Sequence, residues 1–329
     1  MARRLCSYGT SVARGAAQPA RPNNIPRICW SRQIAGARLR IARFALLAFA
    51  SCGLSAFCWG GDIPEISPRP AGPVAQIPFK AYQDYLIVAE GRIGNLEHQN
   101  LLVDTGTNPS MIDRRVAAEL GLQATSRDLS LFNKKVVSET VLLPEFEFGP
   151  LRRQNLQVMV ADFSAIGRGL GTRIDAVIGL DVLGASNFTI DYKKRRISFG
   201  ASVEHHTVPF SAGQQFITVN LKSGSRELHL LLDTGTPRLV LFESHLRDVD
   251  LGWMSGAGSG NNLTGNVEFK AIVLHQARIG TLEVGPQPAS VVPSQHDYAG
   301  NLDGLMGVSC LRPKRISFDF EKQLLGWSD

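Results

Sequence analysis

The stretch LLLDTGTPRLVLF, residues 230–242, sets one carboxylate, Asp233, between a run of leucines and a Thr-Gly turn. A carboxylate among aliphatic residues is costly to ionise unless it is paired or hydrogen-bonded. The leucine run is typical of a buried strand, and the glycine marks a turn directly after it. The position therefore requires a partner from elsewhere in the chain.

A second copy of this stretch occurs earlier. Residues 100–112, NLLVDTGTNPSMI, place Asp104 in the same context, 129 positions before Asp233 (233 − 104). Two further blocks repeat at nearly the same offset: DAVIGLDVLGASNFTIDYKKRRISF from Asp175 parallels DGLMGVSCLRPKRISFDFEKQLLGW from Asp303, and EFEFGPL (145–151) parallels QARIGTL (276–282). Three blocks at nearly one spacing predict a duplicated lobe with a join near residues 200–213.

The body of the chain is predicted to be all-β. Short apolar runs separated by turn residues recur throughout it, which is typical of strands. Helical patterns are confined to DRRVAAEL, where Asp113 can cap the start and Gly121 the end, and to FESHLRDVDL at residues 242–251. We therefore expect two homologous β-barrel lobes with a cleft between them and one short helix per lobe.

The repeated motifs resemble those of a known family. One Asp-Thr-Gly is weak evidence, but two at equivalent places in homologous halves are a much stronger signal. Residues 77–329 resemble the aspartic protease superfamily of pepsins and retropepsins, especially its bacterial secreted two-lobed members. In that family each half supplies an Asp-Thr/Ser-Gly loop and, later, a strand of two apolar residues and a glycine that crosses behind it. Such strands occur here as Val177-Ile178-Gly179 and Leu305-Met306-Gly307.

Asp104 and Asp233 are the predicted catalytic residues. Two close carboxylates cannot both ionise, so they share one proton and act as acid and base on a water between them. Gly106 and Gly235 allow the close backbone approach that this pairing needs. The hydrolysis forms no acyl-enzyme and requires no metal or cofactor. The residues expected to support the dyad are Thr105, Gly106, Thr107, Thr234, Gly235 and Thr236 in the loops and Gly179 and Gly307 in the crossing strands.

The threonines of the two loops have different expected roles. The resemblance implies that the Thr105 and Thr234 hydroxyls cross-link the loops beneath the dyad. A hydroxyl at Thr107 or Thr236 can donate to the outer carboxylate oxygen, and such a bond lowers a carboxyl pKa. We therefore predict a bell-shaped pH profile with an acidic optimum.

The residues that could cover the cleft depart from the pepsin pattern. LSLFNKKVVSET, residues 129–140, lacks both a tyrosine and a glycine-rich tip, whereas GAGSGNNLTGNVEF, residues 256–269, is rich in glycine. A mobile cover from the second lobe or from both is expected. The substrate would be an extended polypeptide, since pairing with strands gives affinity and alternating side chains give specificity. A monomer suffices for one such site.

The positive charge of the chain lies in its first residues. The formal net charge is +6, yet residues 1–61 contain nine arginines and no acid, so the remaining 26 basic and 29 acidic residues leave −3. This distribution argues against nucleic-acid binding. The uncharged run at 44–61 follows Arg43 and reads as a signal or membrane anchor, which places the body in the periplasm of a bacterium, exported and held at the membrane. An over-long start, a mitochondrial transit peptide and lipidation at Cys52 are alternatives.

These patterns divide the chain into six predicted parts. They are a basic leader (1–43), a signal or membrane anchor (44–61), a Pro-rich tether (62–77), an N-terminal aspartic protease lobe (78–200), a linker (201–213) and a C-terminal lobe (214–329).

Two other functions compete with proteolysis. A bilobal module could bind peptides without cutting them. Because both aspartates are present, a lack of catalytic activity would require a blocked cleft or a misplaced flap. Asp-x-Gly-Thr also occurs in the phosphate loops of sugar kinases and actin-like ATPases, and a related motif marks aspartyl-phosphate ATPases. The lysine of the latter is missing, and lobes with one helix each leave little room for such α/β domains.

The other candidate motifs have plainer interpretations. His205 and His206, which together with Glu204 could bind a metal, are expected to be a solvated pair in the linker instead. The glycines from Gly167 to Gly171 are expected to lie in a polar loop, which makes a phosphate-binding role poor. Cys310, the one cysteine after residue 61, is expected to be a buried inert thiol.

Overall fold

A computed structural model describes residues 44–45, 75–131, 134–200, 202–212, 216–246, 254–262, 265–293 and 301–329. All of them fall in one unit, Ile41–Asp329. The predicted leader, nearly all of the predicted anchor and the tether up to residue 74 lie outside the described residues. Within the described ranges no helix is long and apolar enough to cross a membrane.

Eleven strands belong to the first half of the chain. They are β1 (Phe44–Ala45), β2 (Gln76–Tyr82), β3 (Leu86–Ile93), β4 (Leu96–Val103), β5 (Met111–Asp113), β6 (Thr125–Leu131), β7 (Lys134–Phe148), β8 (Leu151–Ala161), β9 (Ala176–Ile178), β10 (Phe188–Asp191) and β11 (Arg196–Phe199).

Eleven more strands form the second half. They are β12 (His206–Pro209), β13 (Ser211–Ala212), β14 (Ile217–Ser223), β15 (Arg226–Asp233), β16 (Leu239–Phe242), β17 (Met254–Asn262), β18 (Gly265–Ile279), β19 (Leu282–Val292), β20 (Gly304–Gly307), β21 (Arg315–Asp319) and β22 (Leu324–Ser328). The helices among the described residues are α1 (Arg114–Glu119), α2 (Ser164–Leu170) and α3 (Leu180–Leu183), with 3-10 turns at Glu243–His245 and Val308–Cys310.

The two halves have the same strand order, so the fold is two β-rich lobes, as predicted. The first lobe runs β3-β4-β9-β5-β8-β7-β6, and the second runs β14-β15-β20-β16-β19-β18-β17. The extra pairings β3–β7 and β14–β18 also correspond, and β1 lies beside β17 at the edge of the second sheet. Because the order matches strand for strand, the repeat found in the sequence is a repeat of the fold.

The lobes are joined by a sheet that contains strands of both. β10 pairs antiparallel with β21, and Thr189 lies opposite Ser317, its equivalent in the repeated blocks. The Phe188 and Phe318 rings stack at 4.6 Å between centroids. One cluster of buried apolar residues runs through both halves. A local two-fold axis therefore passes through this sheet, and the lobes share their largest apolar core.

The helices are predicted only in part. The Asp113 carboxylate accepts from Arg115 N at 3.0 Å and caps α1 as expected, and Gly121 follows it with a φ of +62°. The second predicted helix, at residues 242–251, is described only in its first part, which contains a 3-10 turn. Residues 247–251 lie outside the described residues. Since the first lobe has three helices, the expectation of one per lobe is wrong.

The stretch from Gly167 to Gly171 was expected to be a loop, and this is also wrong. It belongs to α2, and Gly171 ends the helix with a φ of +70°. Burial of Ile166 and Leu170 in an apolar cluster of the first lobe stabilises α2. Tertiary packing thus overrides the low helix propensity of glycine.

The predicted linker is not free of secondary structure. It contains β12, which pairs with β22, and β13, which pairs with β14. These two short strands occupy the place in the second half that β2 occupies in the first, since β2 pairs with both β11 and β3. The chain therefore enters the second lobe through strands rather than through a flexible connection.

Candidate active site

Each aspartate lies at the end of a central strand. β4 runs parallel to β9, and Asp104 N, just beyond β4, donates to Ile178 O at 3.0 Å. β15 runs parallel to β20, with Asp233 opposite Gly307. Only 4% of Asp104 and 1% of Asp233 is exposed. Continuous apolar runs suit strands that are covered on both faces, which explains why the two acids are carried into the interior.

The two carboxyl groups are brought together by the glycines that follow them. A Cβ on Gly106 would overlap the Asp233 carboxyl, and a Cβ on Gly235 would overlap the Asp104 carboxyl. Each carboxyl therefore occupies the space left by the missing side chain of the opposite loop. The sequence indicated a close approach of the two loops but not that the partner's carboxyl fills the space.

Four buried hydrogen bonds join the loops beneath the aspartates. Thr105 N donates to Thr234 Oγ1 at 3.0 Å, and Thr234 N donates to Thr105 Oγ1 at 3.1 Å. The Thr105 hydroxyl donates to Leu232 O at 2.8 Å, and the Thr234 hydroxyl donates to Val103 O at 2.9 Å. Each hydroxyl is both donor and acceptor, so the exchange is reciprocal and fixes the separation of the loops.

The hydrogen bonds to the two carboxylates differ. Asp104 accepts from Gly106 N on Oδ1 and from the Thr107 hydroxyl on Oδ2, both at 2.7 Å. Asp233 Oδ1 accepts from Gly235 N at 2.7 Å. Its Oδ2 and the Thr236 hydroxyl are buried and have no hydrogen-bond partner among the described residues. The expectation that both threonines after the glycines donate to the dyad therefore holds for Thr107 and not for Thr236.

This difference has an electrostatic counterpart. Burial raises the pKa of the Asp233 carboxyl well above its ordinary value, and the neighbouring Asp104 carboxylate raises it further. The backbone amides of Gly235 and Thr236 act in the opposite direction with smaller effect. Desolvation favours the neutral acid, whereas donated hydrogen bonds favour the anion. The arrangement therefore favours the neutral form of Asp233.

The crossing-strand glycines lie behind the loops, where neither leaves room for a side chain. A Cβ on Gly179 would overlap the Thr107 carbonyl. A Cβ on Gly307 would lie 2.5 Å from both the Thr236 carbonyl oxygen and Arg238 N. These glycines therefore let β9 and β20 support the loops at van der Waals distance.

Sequence reasoning missed a polar network in the first lobe. Asp181 accepts from Ser110 N at 2.9 Å and from the Ser110 hydroxyl at 2.5 Å. The same hydroxyl accepts from Gly179 N at 2.9 Å, and Arg153 Nε donates to Asp181 O at 3.2 Å. Both Ser110 and Asp181 flank motifs that were singled out. Ser110 and Asp181 are 71 positions apart in the sequence, and no sequence pattern predicts their contact.

Both lobes carry a long hairpin of the kind that could cover the cleft. β6 and β7 pair as far as Leu131 and Lys134, and β17 and β18 pair as far as Asn262 and Gly265. The segments that close the hairpins, residues 132–133 and 263–264, lie outside the described residues. A cover from both lobes is therefore still a prediction.

The residues around the histidine pair differ in exposure: Glu204 is buried, His206 is half-buried and His205 is exposed. The pair is therefore only partly solvated. Glu204 accepts from the hydroxyls of Ser202 and Ser328 at 2.7 and 2.6 Å, and the His206 ring packs beside Trp327 with centroids 5.4 Å apart. In the part of the chain that the structure describes, no three His, Cys, Asp or Glu side chains form a metal-binding group. Burial raises the pKa of the Cys310 thiol to about 12, which keeps it protonated and unreactive.

Comparison with protein families agrees with this geometry. Residues 89–182 match the family model described as Aspartyl protease. The matched part runs from β3 into α3 and includes Asp104 and Gly179. Asp233 lies beyond it, so its equivalence to Asp104 rests on the repeated motif and strand order. No curated protein matches the chain.

Proposed function

We propose that this chain is an aspartic endopeptidase that hydrolyses peptide bonds with Asp104, Asp233 and one water. The observation that supports this most directly is the packing of each aspartate's carboxyl against the glycine of the opposite loop. Two neighbouring buried carboxyls cannot both ionise and therefore share one proton. The reciprocal threonine bonds hold the two loops, and therefore the two carboxyls, at a fixed separation, which a shared proton requires.

In the proposed reaction Asp104 is the general base. It takes a proton from the water, whose oxygen bonds to the scissile carbonyl carbon, while Asp233 gives its proton to the carbonyl oxygen. The product of this step is a neutral gem-diol. In the second step Asp104 gives its proton to the amide nitrogen, the C–N bond breaks, and a gem-diol hydroxyl returns a proton to Asp233. The dyad ends in its starting state.

The substrate is proposed to be an extended polypeptide that pairs with strands of the cleft and hairpins. One chain supplies both aspartates, so a monomer provides one complete site. We also propose that the enzyme is exported and held at a membrane by residues 44–61, facing the periplasm in a bacterium. The basic cluster before that uncharged run supports this location.

The function is tested by incubating the full-length chain with a mixed peptide library from pH 3 to pH 8. We expect cleavage with a bell-shaped pH dependence, an acidic optimum and inhibition by a pepstatin-like transition-state analogue. Asp104→Asn and Asp233→Asn should each lower kcat/KM by at least about 10³-fold, because each removes one proton-transfer group.

The two substitutions also separate proteolysis from peptide binding. Full cleavage by both variants would reject the dyad. A wild-type chain that binds peptides at any pH but cleaves none would identify a binding module instead. Binding by Asp104→Asn without cleavage is the result expected of an inactivated protease.

A further inference from the structure

The polar network of Ser110, Asp181 and Gly179 supports the catalytic loop of the first lobe. The Asp181 carboxylate takes both hydrogens of Ser110 that can point towards it, from the backbone amide and the hydroxyl. Since the hydroxyl hydrogen is directed to Asp181, its oxygen is free to accept from Gly179 N. The orientation of the Ser110 hydroxyl thus links Gly179, which follows β9, to Ser110 at the end of the catalytic loop.

The same contact region holds Thr107. Leu180 N donates to Thr107 O at 2.9 Å, and Gly179 lies directly against that carbonyl. The backbone of Thr107 is therefore held from the crossing-strand side, while its hydroxyl donates to Asp104 on the other. A shift of the loop relative to α3 would change the Thr107–Asp104 distance.

The second lobe has a different network at the equivalent place. Leu239 corresponds to Ser110, because each lies six residues after its aspartate. The residues that follow them, Val240 and Met111, pair with the crossing strands at equivalent positions. Ser309 corresponds to Asp181, two residues after the crossing-strand glycine, and its hydroxyl donates to Pro237 O. Gly307 N donates to Arg238 O at 3.1 Å instead of to a side chain. In this lobe the Thr236 hydroxyl has no hydrogen-bond partner among the described residues.

We propose that Asp181 is a positioning residue that, through Ser110 and Gly179, holds the Thr107 hydroxyl on Asp104 and so makes Asp104 the ionised member of the dyad. This inference rests on the proposed function and adds to it the reason why the two equivalent acids have different roles. Asp181 touches neither substrate nor the reacting atoms in this scheme. The titratable group that faces Asp104 is Asp233. Burial raises the pKa of the Asp181 carboxyl itself, whereas its hydrogen bonds from Ser110 and the charge of Arg153 on β8 lower that pKa.

The test is the acidic limb of the kcat profile against pH, measured on the full-length chain. This limb reports protonation of the base in the enzyme–substrate complex. Thr107→Val removes the donor and should move the limb upward by about one pH unit, since a hydrogen bond to a charged group is lost. Thr107→Ser keeps the hydroxyl and should restore the wild-type position.

Asp181→Asn should move the limb in the same direction, because an amide cannot accept both Ser110 hydrogens on two oxygens. Ser309→Ala changes the equivalent position of the second lobe and is the matched control, which should leave the limb in place. A lower melting temperature of Asp181→Asn with an unshifted limb would mean a purely structural role and would overturn the proposal.

Two further outcomes are distinguishable. If Asp181→Asn does not fold, Ser110→Ala removes the hydroxyl between Asp181 and Gly179, and an unshifted limb there overturns the proposal equally. If the wild type cleaves and both dyad variants are inactive, a failed shift rejects the positioning role alone. If the wild type cleaves nothing, the proposed function itself fails.

Discussion

Asp104 accepts hydrogen bonds on both carboxylate oxygens, whereas only one oxygen of Asp233 does so among the described residues. The two residues sit in the same motif, at the end of the same strand of two matching lobes. Side chains beyond the motif also differ between the lobes, as at Ser110 and its counterpart Leu239. A duplicated backbone therefore brings two acids together, and the groups around them give the two acids different hydrogen bonds.

Features formed by backbone and motif are shared by both lobes. Besides the threonine exchange, Asp175 accepts from Asn100 N and Asp303 accepts from His229 N, each at 2.8 Å. Both acids start the repeated blocks and join the crossing strand to the strand that ends at the dyad. In each lobe a backbone bond joins the same two residues, from Asp175 N to Asn100 O at 2.9 Å and from Asp303 N to His229 O at 2.8 Å. The equivalence of these pairs follows from the duplicated topology.

The largest expected effect tests the symmetry of the threonine exchange. Thr105→Val and Thr234→Val each remove a hydroxyl that is both donor and acceptor, leaving a buried carbonyl and a buried amide without partners. Each should lower the free energy of unfolding by about 3 kcal/mol, and the two values should agree within about 1 kcal/mol. Denaturant unfolding at constant pH measures this. If only one of the two substitutions lowered the free energy of unfolding, the hydrogen bonds would not be reciprocal in solution.

A smaller effect should separate the two aspartates. The raised pKa of Asp233 means that the folded state favours its neutral form. Its contribution to stability is therefore complete below the ordinary carboxyl pKa of about 3.9 and is lost as the pH rises through the raised value. Asp233→Asn keeps a neutral group, so it should be more stable than the wild type at pH 7 by at least about 1 kcal/mol, and by less at pH 4.

Asp104→Asn provides the control for this measurement. It replaces one of the two oxygens that accept from Gly106 and Thr107 by a donor, so it should not stabilise the fold at pH 7. Unfolding curves of both variants at pH 4 and pH 7 make the comparison. A stabilised Asp104→Asn with an unchanged Asp233→Asn would reverse the assignment of the proton.

The smallest effect concerns an ion pair at the base of each hairpin. Arg114 of α1 pairs with Glu139 of β7 in the first lobe, and Glu243 of the 3-10 turn pairs with Lys270 of β18 in the second, at corresponding places and with opposite polarity. In the second lobe the pair lies at a pocket of about 520 Å³. All four side chains are more than a third exposed, so solvent and salt screen them.

Lys270→Glu should therefore lower the free energy of unfolding by less than about 1 kcal/mol at low salt, and the double variant with Glu243→Lys should recover most of it. The matched change in the first lobe is Arg114→Glu, rescued by Glu139→Arg. Melting temperatures at low salt and in 1 M NaCl measure both pairs. A loss that persists in high salt would mean that one pair acts through packing.

The sequence is informative about strands and repeats because these depend on patterns within each segment. HLLL, FTIDY and RISFDF all fall in strands, and the three repeated blocks fall on equivalent elements of the two lobes. The errors concern short elements held by distant contacts. α2 contains two glycines and forms because Ile166 and Leu170 are buried, and β12 forms because β22 lies beside it.

The sequence alone determined the duplication, the all-β class, the two aspartates and the glycines that must be small, because each is marked by residue type at a repeated position. Only the tertiary structure decided that each carboxyl packs on the opposite glycine, that Thr107 donates and Thr236 does not, and that Asp181 holds Ser110. Those contacts join residues far apart in the chain and depend on ångström differences between equivalent lobes. A motif specifies which groups are present, and their protonation depends on the neighbours that folding supplies.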